Sequence, residues 1–201
     1  MTKNGFTLAE VLVTLGIIGV IAALTMPNFI NDSEKSKIGP KLAKAVAVFE
    51  QANQVLLQEN SVDKITDIVY ENKKEYVDNL SIYIKSSHVS DLTLTTKDNI
   101  SYDFITNTMG TSVTANQERF DPVWIRLKPD ANKIGYDMFR FEFVTDGSLI
   151  PYGGTGFDGE DTSKPNGTDH WTTKCPADKK PSGPAYCAGH IFENNLKVLY
   201  K

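Results

Sequence analysis

The sequence predicts an α+β fold in which one long N-terminal helix, apolar along its first half and amphipathic along its second, packs against a small antiparallel sheet. Three observations carry this expectation. Apolar residues run almost without interruption from Val11 to Met26. Ile38, Leu42, Val46, Phe49 and Leu56 then recur at helical steps, with Lys41, Lys44, Glu50 and Gln51 between them. From Asp91 the apolar period shortens to two. Helices first and strands afterwards is the order of an α+β domain, with the sheet laid over the helix.

The first element begins after a short polar leader, Met1 to Gly5, whose one side-chain cation is Lys3. An ordinary secretory signal has its small residue after the apolar core, whereas Gly5 precedes it here. A helix over residues 6–26 would cover roughly 30 Å, the hydrocarbon thickness of a bilayer. Glu10 interrupts this run, and a carboxylate within a membrane helix costs about 2.5–3.5 kcal/mol on insertion scales and marks a contact with a partner. The plainer reading places Glu10 at a helix end that reaches interfacial water. Thr7, Thr14, Gly16, Gly19, Ala22 and Ala23 are small enough to let membrane helices approach, although most of them serve equally as lipid-facing filler. Pro27 cannot donate a backbone hydrogen bond, so a kink or break is expected there.

The amphipathic half starts near Gly39-Pro40, where the helix is either kinked or restarted, since proline is tolerated in a first turn. A second helix is expected from about Ser61 to Lys85, with Ile65, Ile68, Val69, Tyr76, Leu80 and Ile84 inward. Four strands follow, marked by Leu92 and Leu94, by Ile100, Tyr102 and Phe104, by Val123, Ile125 and Leu127, and by Phe139, Phe141 and Phe143. Lys97-Asp98-Asn99 and Asp146-Gly147 carry turn chemistry, so antiparallel pairing is the economical arrangement. The expected divisions are residues 1–5 as leader, 6–30 as a membrane and assembly helix, and 31–201 as one globular head. Within the head, helices occupy about 38–85, the sheet about 91–150, and a loop region 151–201.

That last region is rich in glycine, proline and short polar residues up to about Pro184. Asp158, Glu160, Asp161 and Asp169 cluster in it and offer oxygen ligands for calcium, but their spacing is not that of the twelve-residue helix-loop-helix site, and a solvated loop is the stronger reading. Asp130, Asn132 and Asp137 are read in the same way. Cys175 and Cys187 are the two cysteines of the chain. Together with His170 and His190 they spell H-x4-C-x11-C-x2-H, four plausible zinc ligands in a reducing compartment; in an exported head the pair reads as one disulfide.

Composition narrows the function. A formal charge of −4 and a pI near 5.4 give no general attraction to nucleic acid. Lys174, Lys179 and Lys180 near Trp171 and Tyr186 form the one basic and aromatic group, and it reads better as a solvated loop than as a nucleic-acid surface. No nucleophile elbow, phosphate loop or dinucleotide fingerprint is present, so no enzyme and no cofactor are expected.

Gly5-Phe6-Thr7-Leu8-Ala9-Glu10, together with the apolar residues through Leu24 and with Pro27, resembles the prepilin signature of type IV pilins and type II secretion pseudopilins. The resemblance covers about the first thirty residues. It implies that a dedicated membrane peptidase and N-methyltransferase cuts between Gly5 and Phe6 and methylates the new amine of Phe6, that Glu10 guides assembly, and that Pro27 bends the helix. It also implies a single pass through a bacterial inner membrane with the leader cytoplasmic and the head outside. The partners implied are pilin subunits of the same or related kind and an inner-membrane assembly platform, and the product is a pilus or a periplasmic pseudopilus. Export favours the disulfide reading of Cys175 and Cys187, which is similar to the disulfide-bounded loop near the end of many type IV pilins. Lys35, Lys37, Lys41 and Lys44 beyond the span favour the opposite orientation by charge count, and the resemblance overrules them. The alternative function is a signal-anchored extracytoplasmic binding domain that never polymerises.

Overall fold

The computed structural model describes residues 7–105, 112–114, 117–154 and 171–200. The chain divides into two compact units, Met1–Lys37 and Ile38–Lys201. Helix α1 runs from Leu8 to Asn60 as one element, through Pro27 and through Gly39-Pro40, so the amphipathic half is not a restarted helix. Gly39 is required by packing: a Cβ there would lie 1.8 Å from the carbonyl oxygen of Leu196.

In the unit of residues 38–201, α1 buries Leu42, Val46, Phe49 and Leu56 of the expected stripe, with Ala45, Ala52 and Leu57 beside them, while Ile38 is half-buried. It ends because Ser61 adopts φ 54°, while the amide of Val62 donates to Leu57 O and that of Ser61 to Gln58 O. This left-handed cap satisfies the last carbonyls and stops propagation. The expected helix over 61–85 is corrected here. Residues 61–72 form a connection with one 3-10 turn at Ile65–Asp67, and helix α2 spans Lys73–Tyr83 only. Asn72 sets its start by accepting from the amide of Glu75 at 3.1 Å, a side-chain cap that overrides apolar periodicity. Val69, expected inward, is 93% exposed, because without a helix the 3.6-residue period places nothing there.

Among the described residues seven strands form one antiparallel sheet in the order β1-β2-β3-β5-β6-β7, with β4 pairing β5 off this path. They are β1 Ser86–Ser90, β2 Thr93–Thr96, β3 Ser101–Phe104, β4 Ser112–Thr114, β5 Gln117–Arg126, β6 Met138–Val144 and β7 Leu149–Pro151. The four expected strands correspond to β2, β3, β5 and β6; β1, with no fully buried residue, and β7, with three residues of which one is buried, are too short on buried positions to show a period. Pro122 sits inside β5 at the register shift between Phe120 and Val123, a bulge that excuses its missing donor.

Both expected turns are present. Asn99 takes φ 58° between β2 and β3, and Gly147 takes φ 88° between β6 and β7. Gly147 is doubly constrained, since a Cβ would also fall 2.6 Å from the Cβ of Asn53. Asn53 is fully buried and organises the centre of the core: its side-chain amide donates to Phe49 O and Gly147 O, and its carbonyl accepts from Tyr76 Oη at 2.7 Å. Around it the rings of Phe49, Tyr76, Tyr102, Phe104 and Phe143 pack with centroid separations of 5.3–6.4 Å.

The expected loop region 151–201 is corrected too. It carries helix α3, Trp171–Lys174, and helix α4, Cys187–Glu193, whose Cys187, Ala188, His190 and Ile191 are buried.

Candidate functional site

The candidate site lies at the start of α1. Thr7 precedes the helix, and its backbone amide and hydroxyl each donate to Glu10 Oε2 at 2.8 Å, while the amide of Glu10 donates to Thr7 Oγ1 at 3.3 Å. This is a reciprocal capping box, in which N-cap hydroxyl and N3 carboxylate satisfy orphan donors of the first turn. The capping role of Thr7 was missed by reading it only as a small residue; the spacing T-x-x-E before an apolar run was the available signal. Glu10 therefore has an intrachain role, helix initiation, that stands beside any role in assembly.

On both sides of Glu10 the unit presents a mostly apolar surface over its described residues. Leu8 is 81% exposed and Leu24 71%, with Leu12, Val13, Leu15, Ile18 and Val20 at 60–62% between them. An apolar sleeve of this kind marks an interaction surface. The hydroxyl of Thr14 is silenced by donating to Val11 O, and a Cβ added at Gly16 or Gly19 would meet nothing within 4 Å. Among the described residues, these glycines thus leave open space where a side chain would stand.

Among the described residues no helix is long and apolar enough to cross a membrane. The expected span of residues 6–30 includes Phe6 and the side chains of 25–30, which lie outside the described residues. The stretch that remains, at ~1.5 Å per residue, falls short of a hydrocarbon core of ~30 Å. Gly5 and Phe6 also lie outside the described residues, as does the side chain of Pro27, around which α1 continues.

In the head, Cys175 and Cys187 form a disulfide across a separation of 12 residues, and both are fully buried. The disulfide reading of the pair holds and the competing zinc reading falls, because oxidised sulfurs are not thiolate ligands. His190 is occupied as well: the amide of Leu199 donates to Nε2 at 3.3 Å, so Nδ1 carries the proton and donates to Cys175 O at 2.8 Å. Burial holds the His190 pKa below its ordinary value, partly offset by the hydrogen bond to Cys175 O. His170 lies outside the described residues.

Among the described residues no group of three or more metal-ligating side chains is present. Asp137 is buried and engaged by Lys128 Nζ at 3.0 Å and by the amide of Lys133 at 2.7 Å, a structural tie in the β5–β6 connection. Asp158, Glu160, Asp161 and Asp169 lie outside the described residues. The aromatic members of the basic group are half-buried and engaged within the head: Trp171 donates to Glu193 Oε2 and stands 4.8 Å from the His190 ring, and Tyr186 packs at a tilt against Tyr152.

Comparison with known proteins places the N terminus. Residues 1–26 match the prokaryotic N-terminal methylation motif. The type IV major alpha-pilin of Moraxella bovis is 33% identical over 70 residues, which are 31% of this chain and 44% of that protein. The chain thus spans less than half the length of this curated relative. No solved structure matches.

Proposed function

We propose, for a chain that carries the prokaryotic N-terminal methylation motif and is similar to a type IV major alpha-pilin, that it is a structural pilin or pseudopilin subunit. The motif over residues 1–26 is the observation that carries this reading. A membrane peptidase cuts between Gly5 and Phe6 and methylates the amine of Phe6. The subunit is held by its N-terminal helix in a bacterial inner membrane, head outside, and enters a type IV pilus or a type II secretion pseudopilus through an assembly platform. The exposed apolar sleeve of residues 8–24 supports burial against other helices or lipid, and the buried disulfide supports an oxidising compartment.

Cleavage creates a cation at Phe6, and a sister subunit's new amine meets the Glu10 carboxylate as the sleeve is buried. A paired buried charge roughly breaks even, whereas an unpaired one is strongly destabilising, so the pair selects register more than it supplies strength. The capping box tunes this step, because the carboxylate oxygen that binds Thr7 is already partly satisfied before a partner arrives.

N-terminal sequencing and intact mass of the protein purified from cells, with its abundance in sheared fibres, test the reading. Methylated Phe6 at the N terminus and presence in fibres are expected. A chain that retains Met1 and stays out of fibres refutes the subunit and supports a signal-anchored binding domain. Glu10→Ala is expected to leave cleavage intact and to abolish incorporation; incorporation at the wild-type rate refutes the pairing.

A further inference from the structure

The exposed unpaired charges of the head are unevenly distributed along α1, lysines prevailing at one end and carboxylates at the other. Where the head portion of this helix begins, Lys41 Nζ donates to Leu127 O, Lys44 pairs with Asp98, and the C-terminal segment returns so that Leu196 meets Gly39 and Tyr200 donates to Gly135 O. These contacts gather Lys97, Lys128, Lys133 and Lys197 at one end, all exposed. Lys128 pairs with Asp137, while Lys97, Lys133 and Lys197 have no ion pair among the described residues, and the exposed Asp130 in the same connection offsets one of these three charges. At the other end α1 stops at Asn60, Ile65 N donates to Thr145 O, and Lys64 reaches Glu118. Here Glu59, Asp63, Asp67, Glu71 and Glu75 are exposed and have no cationic partner among the described residues.

From Lys41 to Glu59 the helix rises about 27 Å, roughly three Debye lengths at physiological salt. The two ends therefore do not neutralise each other within one head. Opposite signs at opposite ends of a single chain are complementary under translation along α1, which describes a heterologous contact that repeats and does not close on itself. Resting on the subunit reading above, we infer that the basic end around Lys97 and Lys133 docks on the acidic end around Asp67 and Glu71 of a second copy of this chain, setting the head-to-tail register of the fibre. Residues 155–170, outside the described residues, do not enter this balance.

The test uses the full chain in its own cells, comparing wild type, Lys97→Glu with Lys133→Glu, Asp67→Lys with Glu71→Lys, and the four-site swap. Each is scored as the ratio of sheared-fibre protein to processed membrane protein. All four sites are exposed, and equal N-terminal processing with an intact disulfide verifies folding. Either reversal is expected to lower the ratio about tenfold, and the swap to bring it back within about threefold of wild type, since like charges repel at a docked surface and restored complementarity relieves them. Reversals that assemble like wild type overturn the inference, as does a swap no better than its parents, which would assign the two ends to other partners. Wild-type protein that is processed yet absent from fibres overturns the subunit reading itself, an outcome the wild-type lane alone distinguishes.

Discussion

Replacing Cys175 and Cys187 together by alanine removes the one cross-link of the head while keeping both positions small and apolar in a fully buried setting. The cross-link closes a loop of 12-residue separation. In the chain-entropy account, opening a loop of that size returns to the unfolded chain a freedom worth about 3 kcal/mol. The amides of Ser182 and Gly183, which both donate to Lys174 O, hold the loop in the folded head but do not restrict the unfolded chain, so they do not replace the bond. For a domain of this size the loss lowers the melting midpoint by roughly 6–12 °C. Near-ultraviolet circular dichroism of the full chain in detergent micelles reads the transition, because the rings of Trp171, His190 and Tyr200 pack beside the bridge. A reductant should lower the wild-type midpoint by a similar amount and leave the variant unmoved. A variant that melts within about 1 °C of wild type refutes the reasoning, since it would mean the bridge constrains nothing that the unfolded chain explores.

Two further outcomes follow from the core. His190 titrates below its ordinary value in the folded head because burial disfavours the cation, so the unfolded chain takes up the proton first. Stability is then complete above about pH 6.5 and declines as the pH falls through that value, until the folded imidazole also protonates. Melting midpoints against pH should show this slope, and His190→Gln should flatten it; an equal slope in both proteins would assign the dependence elsewhere. Gly147→Ala meets both a positive φ and a Cβ 2.6 Å from Asn53, and should destabilise the head by about 1–3 kcal/mol in denaturant titration, whereas a neutral result would show that the β6–β7 turn relaxes freely.

The elements that were legible in the sequence are those whose periodicity is enforced by burial on one face. Leu42, Val46, Phe49 and Leu56 reach the core because they share a helical stripe, and Phe139, Phe141 and Phe143 because alternate residues share a face of β6. Lys97-Asp98-Asn99 and Asp146-Gly147 turn where their backbone preferences require. The helix expected from Ser61 failed at Val69 because apolar spacing over a connection mimics a helical stripe, while the decisive cap at Asn72 is a single side-chain hydrogen bond. Strands β1 and β7 were invisible because their burial does not alternate: β1 has no fully buried residue and β7 has only Leu149.

The candidate site divides in the same way. The apolar run, Glu10 and the methylation motif are local, written in adjacent residues, and the sequence alone determined them. Tertiary structure decided what depends on distant residues meeting: that Cys175 bonds Cys187 while His190 turns its two nitrogens to backbone groups, and that Lys41, Lys97 and Lys133 gather at one end of the head while Glu59 to Glu75 occupy the other. The reason is physical: a motif read by an enzyme or a membrane acts through contiguous residues, whereas a bond, a tautomer or a charged pole exists only once the chain has folded back on itself.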